Sequence, residues 1–116
     1  VMISVNPELF SRLLVNLVSN AYRYGRENGH IRVRLWQEDS SLVLSVADDG
    51  IGIARNEQEK IFRRFYQADA SRGGEGTGLG LAMVYEIARF YHGTVTVESV
   101  VDQGSTFVVR MPAGQS

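Results

Sequence analysis

The 116-residue chain contains no cysteine, so disulfide staples and thiolate-held metals are excluded, and a reducing compartment is expected. It also lacks an excess of either charge. Twelve Lys and Arg against thirteen Asp and Glu leave a net charge of −1, which argues against a nucleic-acid or anionic-membrane surface as the main partner. No apolar run approaches the roughly 20 residues of a membrane helix, and the first residues lack a basic-then-apolar signal pattern, so any membrane attachment is expected outside this sequence. Proline is scarce, and both prolines, Pro7 and Pro112, fall where elements begin or end. Internal repeats and an interdomain linker are missing too. What remains, 44% hydrophobic and 22% charged, has the size and composition of one globular domain. We assign it to residues 1–112, with 113–116 as a tail.

Residues 1–5 form a short apolar run ended by Asn6-Pro7-Glu8, which reads as an N-cap, a proline at the first helical position and an acid in the first turn. The helical period of Phe10, Leu13, Leu14, Leu17, Val18 and Ala21 predicts a helix from Pro7 to Tyr24, stopped at Gly25. Strict alternation from His30 to Trp36 predicts a half-buried strand, paired through a short hairpin with Leu42 to Val46. Glu57 to Phe65 reads as a short helical segment. Gln67 to Gly78 is polar and glycine-rich and reads as a mobile loop. A second long helix is expected from Leu79 to Tyr91, then a second hairpin from Val95 to Glu98 and Thr106 to Met111, turned near Asp102 to Gly104. Helices set apart from hairpins imply an α+β fold, with helices on one face of a largely antiparallel sheet.

Three segments carry chemistry. Asn16, Asn20, Arg23 and Tyr24 share one stripe of the first helix, on the flank of its apolar face, where side chains can reach the edge of a cleft or remain solvated. Asp48-x-Gly50-x-Gly52 follows an apolar strand. Its glycines admit a close ligand and its carboxylate can accept a hydrogen bond from an exocyclic amine, although an Asp-Gly turn has the same spelling. The glycines leave no oxygen ligands at the third and fifth positions, which excludes an EF-hand. Gly74-x-Gly76-x-Gly78-x-Gly80 runs straight into a helix, so its free amides and the helix N-terminus suit phosphate. No Gly-Lys-Ser/Thr follows, which excludes a P-loop, and the spacing is not that of a dinucleotide fingerprint.

With Ile61-Phe62-Arg63-Arg64-Phe65-Tyr66 between them, these segments resemble the N, G1, F and G2 boxes of bacterial sensor histidine kinases, in the family's order and from Val1 to Pro112. The resemblance implies the Bergerat (GHKL ATPase) fold, an α/β sandwich with a mixed five-stranded sheet, three helices on one face and a flexible ATP lid. It implies ATP and Mg²⁺ as cofactors. By position, Asn20 is the expected metal ligand, supported by Asn16 one turn earlier. Arg23 is expected near phosphate oxygens, and Tyr24 beside the adenine. Asp48 is expected to take the adenine amino group, with Gly50 and Gly52 giving the base room. Gly76, Gly78 and Gly80 are expected to wrap the phosphates, and Phe62 and Phe65 to anchor the lid. Arg64 or Arg72 is expected to replace a phosphate contact at Gln67, where many relatives have arginine. Ile53, Thr77 and Leu79 complete the expected nucleotide-binding set.

Related ATPases of this fold, such as gyrase and the large heat-shock chaperones, carry a glutamate base one turn before the metal-binding asparagine. Asn16 cannot act as that base, which disfavours hydrolysis as the main activity. The histidine box of the family is also missing. His30 and His92 read as a strand opening and a turn, so no phosphoacceptor is expected here, and the chain by itself is expected to bind ATP without phosphorylating itself. The resemblance implies a monomeric domain that serves a dimerisation and phosphoacceptor domain and, through it, a response regulator. The parent is expected to be a homodimer, its kinase part cytoplasmic and its anchor in the bacterial inner membrane. The competing expectations are a nucleotide sensor without catalysis and a chaperone- or gyrase-type ATPase.

Overall fold

The computed structural model describes residues 6–63 and 80–112. The first helix, α1, spans Pro7–Tyr24. Its start is capped as the sequence predicts: the Asn6 side-chain oxygen accepts from the amides of Glu8 (2.9 Å) and Leu9 (3.1 Å). Leu13, Leu17, Ala21 and Tyr24 recur at helical spacing and are buried, and the helix stops where Gly25 turns extended. Two hairpins follow. Strand β1, Ile31–Glu38, pairs with β2, Ser41–Asp48, and later β3, Thr94–Val100, pairs with β4, Gly104–Pro112. Between them lie a one-turn helix, α2, Arg55–Gln58, and the apolar helix α3, Gly80–Phe90. The α3 chain reverses through His92, whose φ is +60°, while the Gly93 amide returns to the Ala88 carbonyl (2.8 Å).

The described residues form a four-stranded sheet in the order β1-β2-β4-β3, with every neighbouring pair antiparallel. This corrects the expected mixed, five-stranded sheet. Each hairpin supplies one antiparallel pair, and β2 and β4 join the hairpins by running against each other, so no parallel contact arises among the described residues. Residues 1–5 lie outside the described residues. The segment from Glu57 is also less helical than its sequence suggests, since α2 closes at Gln58 and turns carry the chain through Ile61 and Phe62.

The core lies between the helices and one sheet face. Leu13, Leu17 and Tyr24 of α1 meet Val84, Ile87 and Ala88 of α3 over Leu44 and Val46 of β2 and Phe107, Val109 and Met111 of β4. Burying each large side chain contributes roughly 1.5–3 kcal/mol. Phe62 reaches this layer with its ring edge-on to Phe107, at 6.1 Å between centroids. The helices cover β2, β4 and β3 more than β1. Val33 and Leu35, in register with the buried Val46 and Leu44, are therefore exposed, and only Trp36 of β1 is even half-buried. The alternation that predicts a half-buried strand identifies the correct inner face, but a strand at the rim of the helical layer receives little cover.

Candidate functional site

The stripe on α1 enters the interior at two of its four positions. Asn20 and Tyr24 are buried, whereas Asn16 and Arg23 are half-buried. Asn20 has a side-chain nitrogen shielded from solvent with no hydrogen-bond partner. A buried amide left with an open position is costly unless something outside the chain completes it. Asn16 lies one turn earlier, and its side-chain oxygen sits against the head of α3. A Cβ placed on Gly80 would lie 3.5 Å from it. The N-terminal end of α3 is thus brought to the asparagine stripe, as the boxes predict.

Asp48 is the last residue of β2, and strand alternation turns its side chain to the helical side. It is buried; one carboxylate oxygen accepts the Gly50 amide (2.9 Å) and the other has no partner. Burial pushes the Asp48 carboxyl above its usual range, helped by the neighbouring Asp49 charge, while the Gly50 and Ser105 backbone amides pull it the other way. Asp49, one residue on, points outward and holds His30 through both oxygens, at 2.8 Å to the amide and 3.0 Å to Nδ1. Those hydrogen bonds hold the Asp49 carboxyl below its usual range. Two adjacent carboxylates are therefore driven in opposite directions by the alternation of one strand.

The glycines after Asp48 are fixed by what they touch. A Cβ on Gly50 would stand 2.0 Å from the Tyr24 carbonyl oxygen, so only a bare backbone can lie on the end of α1, where the Ile51 amide donates to that carbonyl (2.9 Å). Gly52 has φ +73°, and a Cβ there would stand 2.3 Å from the Val100 carbonyl oxygen. Ile53, expected in the ligand set, is buried in the core cluster. Its amide donates to Ser99 Oγ (2.7 Å), and its carbonyl accepts from Gln58 (2.9 Å). Tyr24 likewise belongs to the core.

Several of these partners escape sequence reasoning. Ser99 Oγ also contacts Ser105 Oγ (2.7 Å) and donates to the Gly104 carbonyl (2.9 Å), tying the glycine loop to the second hairpin. Nothing in the sequence marks Ser99, Gln58 or Asp49 for this work, because each has a partner between 19 and 46 positions away. Of the remaining expected residues, Arg64, Phe65, Arg72, Gly76, Thr77, Gly78 and Leu79 lie outside the described residues.

Fold and site together define a two-layer α+β domain with an asparagine helix, a strand-end aspartate and a glycine loop, in which buried polar atoms of Asn20 and Asp48 have no hydrogen-bond partner. Residues 5–115 match the family described as histidine kinase-, DNA gyrase B- and HSP90-like ATPases, and the chain belongs to that family. Among its relatives are the circadian input-output histidine kinase CikA of Synechococcus elongatus, 39% identical over 92% of this chain and 14% of its own. The sensor histidine kinase RppB of Synechocystis is 40% identical over 92% of this chain and 24% of its own. The chain therefore spans less than a quarter of the length of these curated relatives. Among solved structures it is similar to the mycobacterial sensor histidine kinase MprB, with a TM-score of 0.86 at 26% identity over 98% of this chain and 78% of that one. It is also similar to full-length ShkA in complex with AMPPNP, with a TM-score of 0.85 at 30% identity over 98% of this chain and 23% of that one. The domain is thus the histidine-kinase form of the GHKL fold. No described helix is long and apolar enough to cross a membrane.

Proposed function

We propose that the chain binds Mg-ATP and positions its γ-phosphate for transfer to a histidine on a separate dimerisation domain, in two-component signalling. The observation that carries this reading is the pair of buried, unpartnered atoms on Asn20 and Asp48. The free Asp48 oxygen is an acceptor suited to an adenine amino group. The Asn20 carboxamide offers an oxygen on rotation of the amide, and Mg²⁺ takes oxygen ligands while keeping waters and phosphates for the rest. No cluster of three or more His, Cys, Asp or Glu occurs among the described residues, so a metal here would rely on that amide and on the nucleotide. When bound, Mg²⁺ supplies charge neutralisation at the phosphates.

The chain's own contribution is orientation. Asp48 holds the base from a loop that the bare backbone at Gly50 and Gly52 lets lie against the ends of α1 and β3, and Asn16 and Asn20 face the phosphate side. Asn16 leaves water without a carboxylate base, which favours transfer to a protein nucleophile over hydrolysis. Arg23, half-exposed next to Tyr24, is assigned to the phosphates. The glycines before Gly80 are assigned the lid, and Phe62 its anchor. His30 is engaged with Asp49 and His92 forms the turn after α3, so neither is assigned as phosphoacceptor. The dimerisation domain and the response regulator are partners of the parent protein, for which we propose a homodimer with its kinase part in the cytoplasm.

Calorimetry on Asn20→Ala tests the site: Mg-dependent ATP binding should disappear, and unchanged affinity would sink the metal assignment. Labelling tests the chemistry. The chain should take no label from γ-labelled ATP alone and should label an added dimerisation domain carrying its histidine. Binding without transfer in that mixture would favour a nucleotide sensor.

A further inference from the structure

Arg26 stands in the connection between α1 and β1, outside every box that carries the nucleotide reading. Its side chain nevertheless ties the glycine loop to the β3–β4 turn. Nε donates to the Asp49 carbonyl (3.1 Å), and Nη2 donates to the Asp102 carbonyl (2.8 Å) in the β3–β4 turn. The Asp102 carboxylate lies 3.8 Å from the same nitrogen. Asp102 in turn donates its amide to the Ile51 carbonyl (2.8 Å), and Ile51 donates to Tyr24 (2.9 Å). The segment from Asp48 to Gly52 is thus strung between the end of α1 and the hairpin turn, and Arg26, which follows α1, binds both the segment and the turn with its side chain.

We infer that Arg26 is a positioning residue for base selection: its planar fork fixes the backbone at Asp49, and thereby the direction in which the buried Asp48 oxygen faces. The inference rests on the nucleotide reading above and deepens it. Three features support a geometric role. The two carbonyls belong to different segments, so a fork with donors at fixed angles can join them where a flexible ammonium would satisfy one at a time. Asp49 follows Asp48 directly, so a change in ψ at Asp48 or φ at Asp49 tilts the strand end carrying the Asp48 carboxylate. His30 also holds Asp49, at its carboxylate, so Arg26 on the carbonyl and His30 on the side chain are two separate restraints on one residue.

The test compares wild-type chain, Arg26→Ala and Arg26→Lys. Each is titrated with ATP and with inosine triphosphate, which carries a carbonyl where adenine has its amino group. Amide exchange at Ile51 and Asp102 is followed without nucleotide. Arg26→Ala should weaken ATP binding about tenfold, in keeping with the loss of charge-assisted hydrogen bonds, and should narrow the preference for ATP by a similar factor. Exchange at the two amides should quicken about tenfold as the loop opens locally. Arg26→Lys should recover only part of the preference. A merely structural residue would lower thermal stability and weaken both nucleotides alike, leaving their ratio intact. An unchanged ratio, or full recovery with lysine, overturns the inference; the latter would show that charge alone matters. If Arg26→Ala fails to fold, Arg26→Lys decides: a preserved ratio and unchanged exchange refute the fork. If wild-type chain binds neither nucleotide, the nucleotide reading fails and base selection fails with it, while the exchange data still decide whether Arg26 holds the loop.

Discussion

The two glycine boxes share a spelling, but their described glycines do not share a physical reason. At Gly50 and Gly52 a side chain would run into the backbone of a neighbouring segment, at 2.0 and 2.3 Å. At Gly80 a Cβ would meet, among the described residues, just the Asn16 side chain, at an ordinary 3.5 Å. Glycine in the first box is required by the protein's own packing before any ligand arrives. At the head of α3 packing makes no such demand, and whatever requires glycine there is separate from the folding of the described residues.

Substitution can sharpen or break this contrast. Gly50→Ala should have the largest effect, since the end of α1 or the loop must shift. A loss of about 3 kcal/mol, the upper range for overpacking, corresponds to roughly 10–15 °C in Tm for a domain of this size. Thermal unfolding measures it, and a variant as stable as wild type would erase the distinction between the boxes. Asp48→Asn should separate folding from binding. Stability should change by no more than about 1 kcal/mol, because the Gly50 amide keeps its acceptor, whereas ATP affinity should drop at least about tenfold.

The same residue sets a pH dependence with a definite sign. Because the folded pKa of Asp48 lies above its unfolded value, acidification protonates it earlier than an ordinary aspartate. Its ionised form opposes folding above the unfolded pKa, and that penalty fades as the pH falls. ATP affinity should move the other way, declining as the acceptor is lost, and should become flat with pH in Asp48→Asn. Titrations at pH 7 and pH 5 check this. Gly80→Ala should have the smallest effect on the fold: alanine favours a helix by up to about 1 kcal/mol over glycine, so Tm should hold or rise by a few degrees.

Much of this was legible in the sequence because its signals are local. The α1 boundaries follow from Asn6-Pro7 and a 3.6-residue period, and β2 and β4 follow from apolar runs bounded by turn residues. Asn20 and Asp48 were both marked, and both prove to be buried polar groups with an open position. The exposure of β1 was not legible, since alternation reports which face is inward but not how far the helices extend over it. Nor was the split between Asp48 and Asp49, which depends on where β2 ends. Arg26 was invisible for a related reason: its partners lie 23 and 76 positions away, and an arginine in a polar connection carries no mark of what it spans.

The last turns of α1 perform two tasks with one rigid body. Asn20 stands on the helix itself, and one turn later the Tyr24 carbonyl is the seat of the loop that follows Asp48. The separation between the amide and the carboxylate is therefore set like the jaws of a caliper, with the helix as its beam. Under the nucleotide reading proposed above, such a device would gauge length: a ligand meeting both groups would have to match the span between them as well as the chemistry at each, and a shorter or longer molecule would engage one jaw and miss the other.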